Sequence, residues 1–185
     1  MEENMLPEGL TYWDVVSEKS MDLAISQSET LLKETISTAQ SIQDKSDRLT
    51  SVLVPLFSGI LVYIITYTGN YNDTIVLTSI FSLGDIAIVL YYLYGNLIPY
   101  KINVAGANAS EFLNDQVIKH DDTKNQYLKI GMMVCNNIKI RVDRNIKTND
   151  VRSNRVKSAV NVLFIGLPAC PILGYLLHLL CVRYF

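Results

Sequence analysis

The chain has 185 residues, a formal net charge of −2, 49% apolar residues and 18% charged ones. Its cysteines (Cys135, Cys170, Cys181) lie far apart and its histidines (His120, His178) are solitary, so neither a Cys-x-x-Cys pair nor a Cys/His ligand spacing is present and no metal or cofactor is expected. A soluble domain can share this average composition, but here the apolar residues pool in three stretches from which charge is nearly absent.

Met1–Leu10 carries three Glu and no basic residue, the reverse of a signal-peptide n-region, so the first membrane helix is expected to insert uncleaved. Met1–Gly9 reads as a loose lead. From Thr11 a helix is predicted, with acidic early turns and neither Gly nor Pro before Pro55. Ile25, Ser28, Leu32, Thr35, Ala39, Ile42, Ser46 and Leu49 follow a 3-4 spacing, half filled with small polar residues. Such a stripe suits packing on the chain's own second polar helix or on a neighbouring subunit. Asp44-Lys-Ser-Asp-Arg48 forms a polar collar after it.

Two apolar runs follow, Val52–Tyr67 and Thr74–Tyr94, separated by the polar tip Thr68–Asp73. A bilayer core about 30 Å thick is crossed by about 20 apolar helical residues, and backbone groups in lipid must bond within their own segment. The pair therefore reads as a transmembrane hairpin with spans at about 51–68 and 74–94. Pro55 falls about one turn inside the first span, beside the small residues Ser58 and Gly59. Tyr63, Tyr67 and Tyr71 mark one interface, and Tyr91, Tyr92 and Tyr94 the other. Thr78, Ser82 and Asp85 share one face of the second span.

Gly95–Thr123 breaks the pattern. Pro99, Gly106 and the small residues of Val104–Ser110 predict a loop, with a short extended piece at Tyr100–Val104, a short helix capped by Ser110 and a solvated break at Lys119–Thr123. From Thr123 or Lys124 a long helix is predicted to Asn149 and on into the third run, Ala159–Val182. Tyr127, Ile130, Val134, Ile138 and Val142 form its apolar stripe. Beyond them Arg141, Asn145, Asn149 and Arg152 recur on one side, with Arg144, Lys147, Arg155 and Lys157 nearby. Pro168 and Pro171, with Gly166 and Gly174 around them, predict a kink in the last span.

Basic residues orient these elements. The tip Thr68–Asp73 has none, whereas Gly95–Lys157 is rich in them and Lys45 and Arg48 precede the first span. The positive-inside rule places the N-terminus and the middle segment in the cytoplasm and the C-terminus outside. The expected architecture is an all-α membrane protein: a cytoplasmic N-terminal helix (1–50), a transmembrane hairpin (51–95), a cytoplasmic loop and long helix (96–157), a third transmembrane helix (158–182) and a short external tail (183–185).

Asp85 is the sharpest functional signal, because a carboxylate near the bilayer centre costs about 2.5–3.5 kcal/mol on insertion scales. No Lys or Arg lies at comparable depth, and His178 falls about 13 Å nearer the outer surface at 1.5 Å per residue. Asp85 is then protonated, hydrogen-bonded to a small polar residue, or facing its copies in an oligomer. The functional reading makes Thr78, Ser82, Asp85, Pro168 and Pro171 a pore or gating face; the structural one makes Asp85 a buried hydrogen-bonding group. The row Arg141, Arg144, Asn145, Lys147, Asn149, Arg152 and Arg155 is either a juxtamembrane basic cluster or a cradle for a phosphate-bearing ligand. No catalytic constellation is present in the sequence, and His120 beside Asp121 and Asp122 reads as a turn.

Three motifs carry a resemblance: the Asp-Lys-Ser-Asp collar, then Leu97-Ile-Pro-Tyr with Gly106-Ala-Asn-Ala-Ser-Glu-Phe-Leu, and Asn137-Ile-Lys-Ile-Arg-Val-Asp-Arg-Asn-Ile-Lys-Thr-Asn-Asp-Val-Arg152. On them the chain, from about Gln43 to Leu180, resembles small bacterial three-span membrane proteins of phage-defence operons. Its layout is similar to the transmembrane effectors of pyrimidine cyclic-nucleotide (Pycsar) immunity. In those proteins Gly-Asn is often followed by Pro, where this chain has Gly-Ala-Asn-Ala. The resemblance implies a non-enzymatic inner-membrane effector of abortive infection that oligomerises and depolarises or permeabilises the membrane. A cyclic nucleotide or an operon-encoded partner protein would trigger it through the cytoplasmic helices; no nucleic-acid duplex is expected as a partner. The competing expectation is a membrane anchor that recruits a cytoplasmic protein.

Overall fold

A computed structural model describes residues 16–67, 69, 73–100, 102–104 and 123–184. Among the described residues the protein is all-helical, with α1 at Glu18–Thr66, α2 at Thr74–Leu97 and α3 at Thr123–Tyr184. Each helix contains a stretch long and apolar enough to cross a membrane. The 49 residues of α1 and 62 of α3 correspond to about 74 Å and 93 Å at 1.5 Å per residue. Both exceed a hydrocarbon core of about 30 Å, so only part of each can lie within one.

Local chemistry sets the helix ends. Helix α1 starts at Glu18, where Ser17 caps it: its Oγ accepts from the Ser20 N–H at 3.2 Å and its carbonyl from the Met21 N–H at 3.1 Å. The start expected at Thr11 lies outside the described residues. At the far end of the hairpin the Asp73 carboxylate makes no cap bond to α2 and accepts instead from the Tyr67 hydroxyl, at 2.9 Å. Helix α2 stops because Ile98 precedes Pro99, whose ring pushes it out of the helical region to φ −70°, ψ 130°. Residues 102–104 form no strand, and Lys101, inside the extended piece expected at Tyr100–Val104, lies outside the described residues. The loop glycine Gly106, the short helix expected from Ser110 and most of the break at Lys119–Thr123 lie outside the described residues.

Helix α1 continues through Pro55, and α3 through Pro168 and Pro171. Hydroxyls inside the apolar stretches turn back on their own helix. Ser58 donates to the Val54 carbonyl at 2.9 Å, Thr66 to Val62 at 2.8 Å and Ser79 to Ile75 at 2.8 Å. Each is thereby satisfied without a neighbouring helix, as an apolar surrounding would demand.

The chain divides into two compact units, and α1 and α3 contribute to both. The first takes its described residues from Met1–Ala39 and Lys101–Asn149. Its core sets Leu32 against Ile138 and Val142, with Ile36 and Val134 packed around them. The polar N-terminal helix thus rests on the chain's own second polar helix. Gly131 belongs to this contact, since a Cβ there would meet the Met21 side chain.

The second unit, Gln40–Tyr100 with Asp150–Phe185, holds all three apolar runs. Leu53 of α1, Ile86, Val89 and Leu93 of α2 and Ala159 of α3 form its core. In α2 the core positions recur at a 3-4 spacing, the seam pattern of packed helices. Yet only 6% of the most apolar stretch of α1, 17% of that in α2 and 11% of that in α3 is buried within the molecule. Phe164 (84% exposed) and Ile65 (71%) show how much apolar surface faces outward. Such a surface is consistent with a membrane location.

The fully buried Leu93 should therefore separate from the exposed Leu173. Leu93→Ala is expected to cost about 2–5 kcal/mol, and Leu173→Ala less than about 0.5 kcal/mol, in reversible unfolding measured in mixed detergent micelles.

Candidate functional site

Helix α2 has no basic residue in its last turn, although its final carbonyls lack helical partners. Two arginines of α3 take that role. Arg155 donates from Nη1 to the Gly95 carbonyl at 2.9 Å and to the Tyr100 hydroxyl at 2.7 Å. Arg152 donates from Nη2 to the Asn96 carbonyl at 3.4 Å and to Gln43 Oε1 of α1. Cations at a helix C-terminus meet the negative end of its dipole. Gly95 is required by this approach, because a Cβ there would overlap the Arg155 guanidinium.

Asn96 completes the clamp. It is fully buried, and its Nδ2 donates to Ser46 Oγ of α1 at 3.2 Å and to the Arg152 carbonyl of α3 at 3.0 Å. The Ser46 hydroxyl in turn donates to the Ile42 carbonyl at 3.0 Å. Three helices are thus tied through one amide. Arg152 is only 3% exposed and lies 5.1 Å from the Tyr100 ring centroid, in cation–π range. Gln43, its acceptor, passes the polarisation on by donating to Asp47 at 3.0 Å. Burial pushes the Arg152 guanidinium below its ordinary pKa, while Tyr100 and Asp47 act in the opposite direction. Two atoms of the clamp, Arg152 Nε and Asn96 Oδ1, are buried without a hydrogen bond among the described residues. One is a donor and the other an acceptor, so the clamp is incompletely satisfied.

Farther along the same unit Asp85 lies against α3. A Cβ on Gly166 would overlap the Asp85 carboxylate, and one on Gly174 would overlap the Thr78 hydroxyl. Buried Cys170 sits midway between the two glycines, so α3 offers small residues at spacings of four to the polar face of α2. Asp85 Oδ2 is buried and has no hydrogen bond among the described residues. Ser82 is half-buried, and Pro168 and Pro171 are exposed.

The remaining members of the basic and polar row belong to the first unit. Asn145 donates to Thr35 Oγ1 at 3.2 Å and to the Asn103 carbonyl at 3.1 Å, and its Oδ1 accepts from the Asn103 backbone at 3.2 Å. Asn149 donates to the Thr35 carbonyl at 2.8 Å. Arg141 reaches the Val104 carbonyl at 2.9 Å. Arg144 and Lys147 are exposed. The row therefore splits: Asn145, Asn149, Arg152 and Arg155 hold the chain to itself, and Arg144 and Lys147 face outward. Asn96, Gln43 and Gly95 were not singled out from the sequence. A signal for Asn96 was present, since it continues the Ile86, Val89, Leu93 seam in phase.

Comparison with protein-family models, with curated proteins and with solved structures found no match.

The clamp gives a direct expectation. Arg152→Lys replaces the planar guanidinium, whose Nη2 meets both Gln43 Oε1 and the Asn96 carbonyl while its plane lies over Tyr100, by a shorter-reaching and more strongly hydrated ammonium without that planar face. It should lower stability by about 1–3 kcal/mol, whereas Lys147→Gln leaves the unfolding midpoint unchanged; a midpoint equal to wild type for Arg152→Lys would rule out the clamp.

Proposed function

We propose that the protein is a non-enzymatic membrane effector of bacterial antiphage defence, which breaches the inner membrane when a cytoplasmic signal reaches it. Its three apolar runs span the bilayer, with the N-terminus and the 96–157 segment inside and the hairpin tip and C-terminus outside, as the distribution of basic residues favours. The observation that carries the reading is Asp85. A carboxylate pressed onto Gly166 in an apolar helix, with Oδ2 buried and no hydrogen bond among the described residues, is a poor resting place for a charge. A homo-oligomer in which α2 turns relieves it, by bringing Thr78, Ser82 and Asp85 of several copies to a watery centre. The clamp supplies the restraint. Arg152 and Arg155 hold the inner end of α2, and an anionic signal such as a cyclic nucleotide, or a partner protein's carboxylates, competes for the same guanidinium groups. Ligand and clamp then bias two packings of one bundle.

A second reading has its own observation. Leu23 (60% exposed), Leu31 (47%), Ile140 (41%) and Ile146 (42%) are exposed in the first unit, away from the apolar runs. They suit an anchor whose polar helices recruit a protein.

Dye release from liposomes separates the two. The effector should release dye on addition of a signal, shown by screening a panel of cyclic nucleotides and operon-encoded proteins. Asp85→Ala, and the pair Pro168→Ala/Pro171→Ala, should reduce release at least about tenfold, equivalent to about 1.4 kcal/mol, while inserting normally. Normal release from both variants removes the gating role; no release by wild type under any condition, with a co-purifying partner, favours the anchor.

A further inference from the structure

A second polar feature of the apolar unit adjoins the clamp, since Ile42 of its lining accepts from Ser46. A cleft of about 350 Å³ opens where α1 and α3 run side by side. Its polar lining is Lys45, Lys157, Ser153 and Asn161, and its apolar wall is Ile42, Val156 and Val160. Both lysines are exposed, and neither has a hydrogen bond or ion pair among the described residues. The nearby Asp47 accepts from Gln43 and makes no ion pair with either lysine among the described residues. Two unpaired ammonium groups, a hydroxyl and an amide over an apolar wall form an amphiphilic receptor: the donors suit phosphate oxygens and the wall suits a hydrocarbon chain.

Position decides the ligand class. Lys157 precedes the third apolar run by two residues, and Lys45 precedes the first by fewer than two turns. The lysines therefore sit at headgroup level, with Val160 at the start of the hydrocarbon. The cleft has room for on the order of ten waters, which accommodates a phosphoglycerol group while the acyl chains run down the outer face. We infer that Lys45 and Lys157 bind the phosphate of an anionic phospholipid in this cleft. The inference rests on the membrane-spanning reading above. Phosphate in the cleft bridges α1 to α3, so lipid charge joins the restraints on the resting bundle.

The test uses the full-length protein in phosphatidylcholine vesicles doped with spin-labelled phosphatidylglycerol or spin-labelled phosphatidylcholine, reading the motionally restricted fraction of each label. The expected result is a preference for phosphatidylglycerol of about fivefold or more. That preference should fall toward one in Lys45→Gln/Lys157→Gln and partway in each single variant. Lys19→Gln/Lys33→Gln, exposed positions elsewhere on α1, should keep it. Equal restriction of both labels in wild type, or a preference that survives the double substitution, overturns the lipid site while leaving the membrane reading intact. No restriction of either label overturns the membrane reading itself. Inorganic phosphate is the remaining arm: full displacement of the labelled phosphatidylglycerol by it would assign the lysines to a soluble anion and overturn the lipid source.

Discussion

A guanidinium taken out of water has to find acceptors, and in this protein the requirement falls on Arg152. Its partners are the carbonyl of Asn96 at the end of α2 and the side-chain oxygen of Gln43 on α1. Hydrogen bonds to a charged group are each worth about 1.5–3 kcal/mol, and leaving such a group unmet is costlier than never burying it. The three helices of the apolar unit are accordingly held in register by polar groups, whereas their apolar seams tolerate sliding. Buried polar residues used in this way specify one arrangement at some expense of stability.

The first unit uses the same device with neutral groups. Thr35 receives Asn145 at its hydroxyl and Asn149 at its carbonyl, just beyond the contact of Leu32 with Ile138 and Val142. In both units an apolar packing step is followed by an amide-rich step. The apolar step supplies most of the burial, and the polar step chooses the register.

These restraints give the proposed effector a physical basis. On that proposal, a bundle whose seams are apolar and whose ends are pinned by a few charged hydrogen bonds changes packing when those bonds are outcompeted. Asp85 against Gly166 marks where the resting packing is least comfortable. The exposed apolar area, on the other hand, is no strain at all once lipid covers it.

Much of the fold was legible in the chain itself. Runs nearly free of charge marked the three apolar helices, because lipid tolerates poorly both charge and unpaired backbone. Heptad spacing marked the inner face of α1, where Leu32, Thr35, Ala39, Ile42 and Ser46 are all buried. Pro99 marked the end of α2. Asp85 and the arginine row also stood out, as charges in or beside apolar segments. What spacing could not supply was pairing across 56 residues, as between Asn96 and Arg152, or the role of Gly166 as a seat for Asp85. Periodicity reports which face of a helix is turned inward, because it depends on one helix at a time. Which partner that face meets depends on how several helices fill space together, and only the tertiary structure decides it.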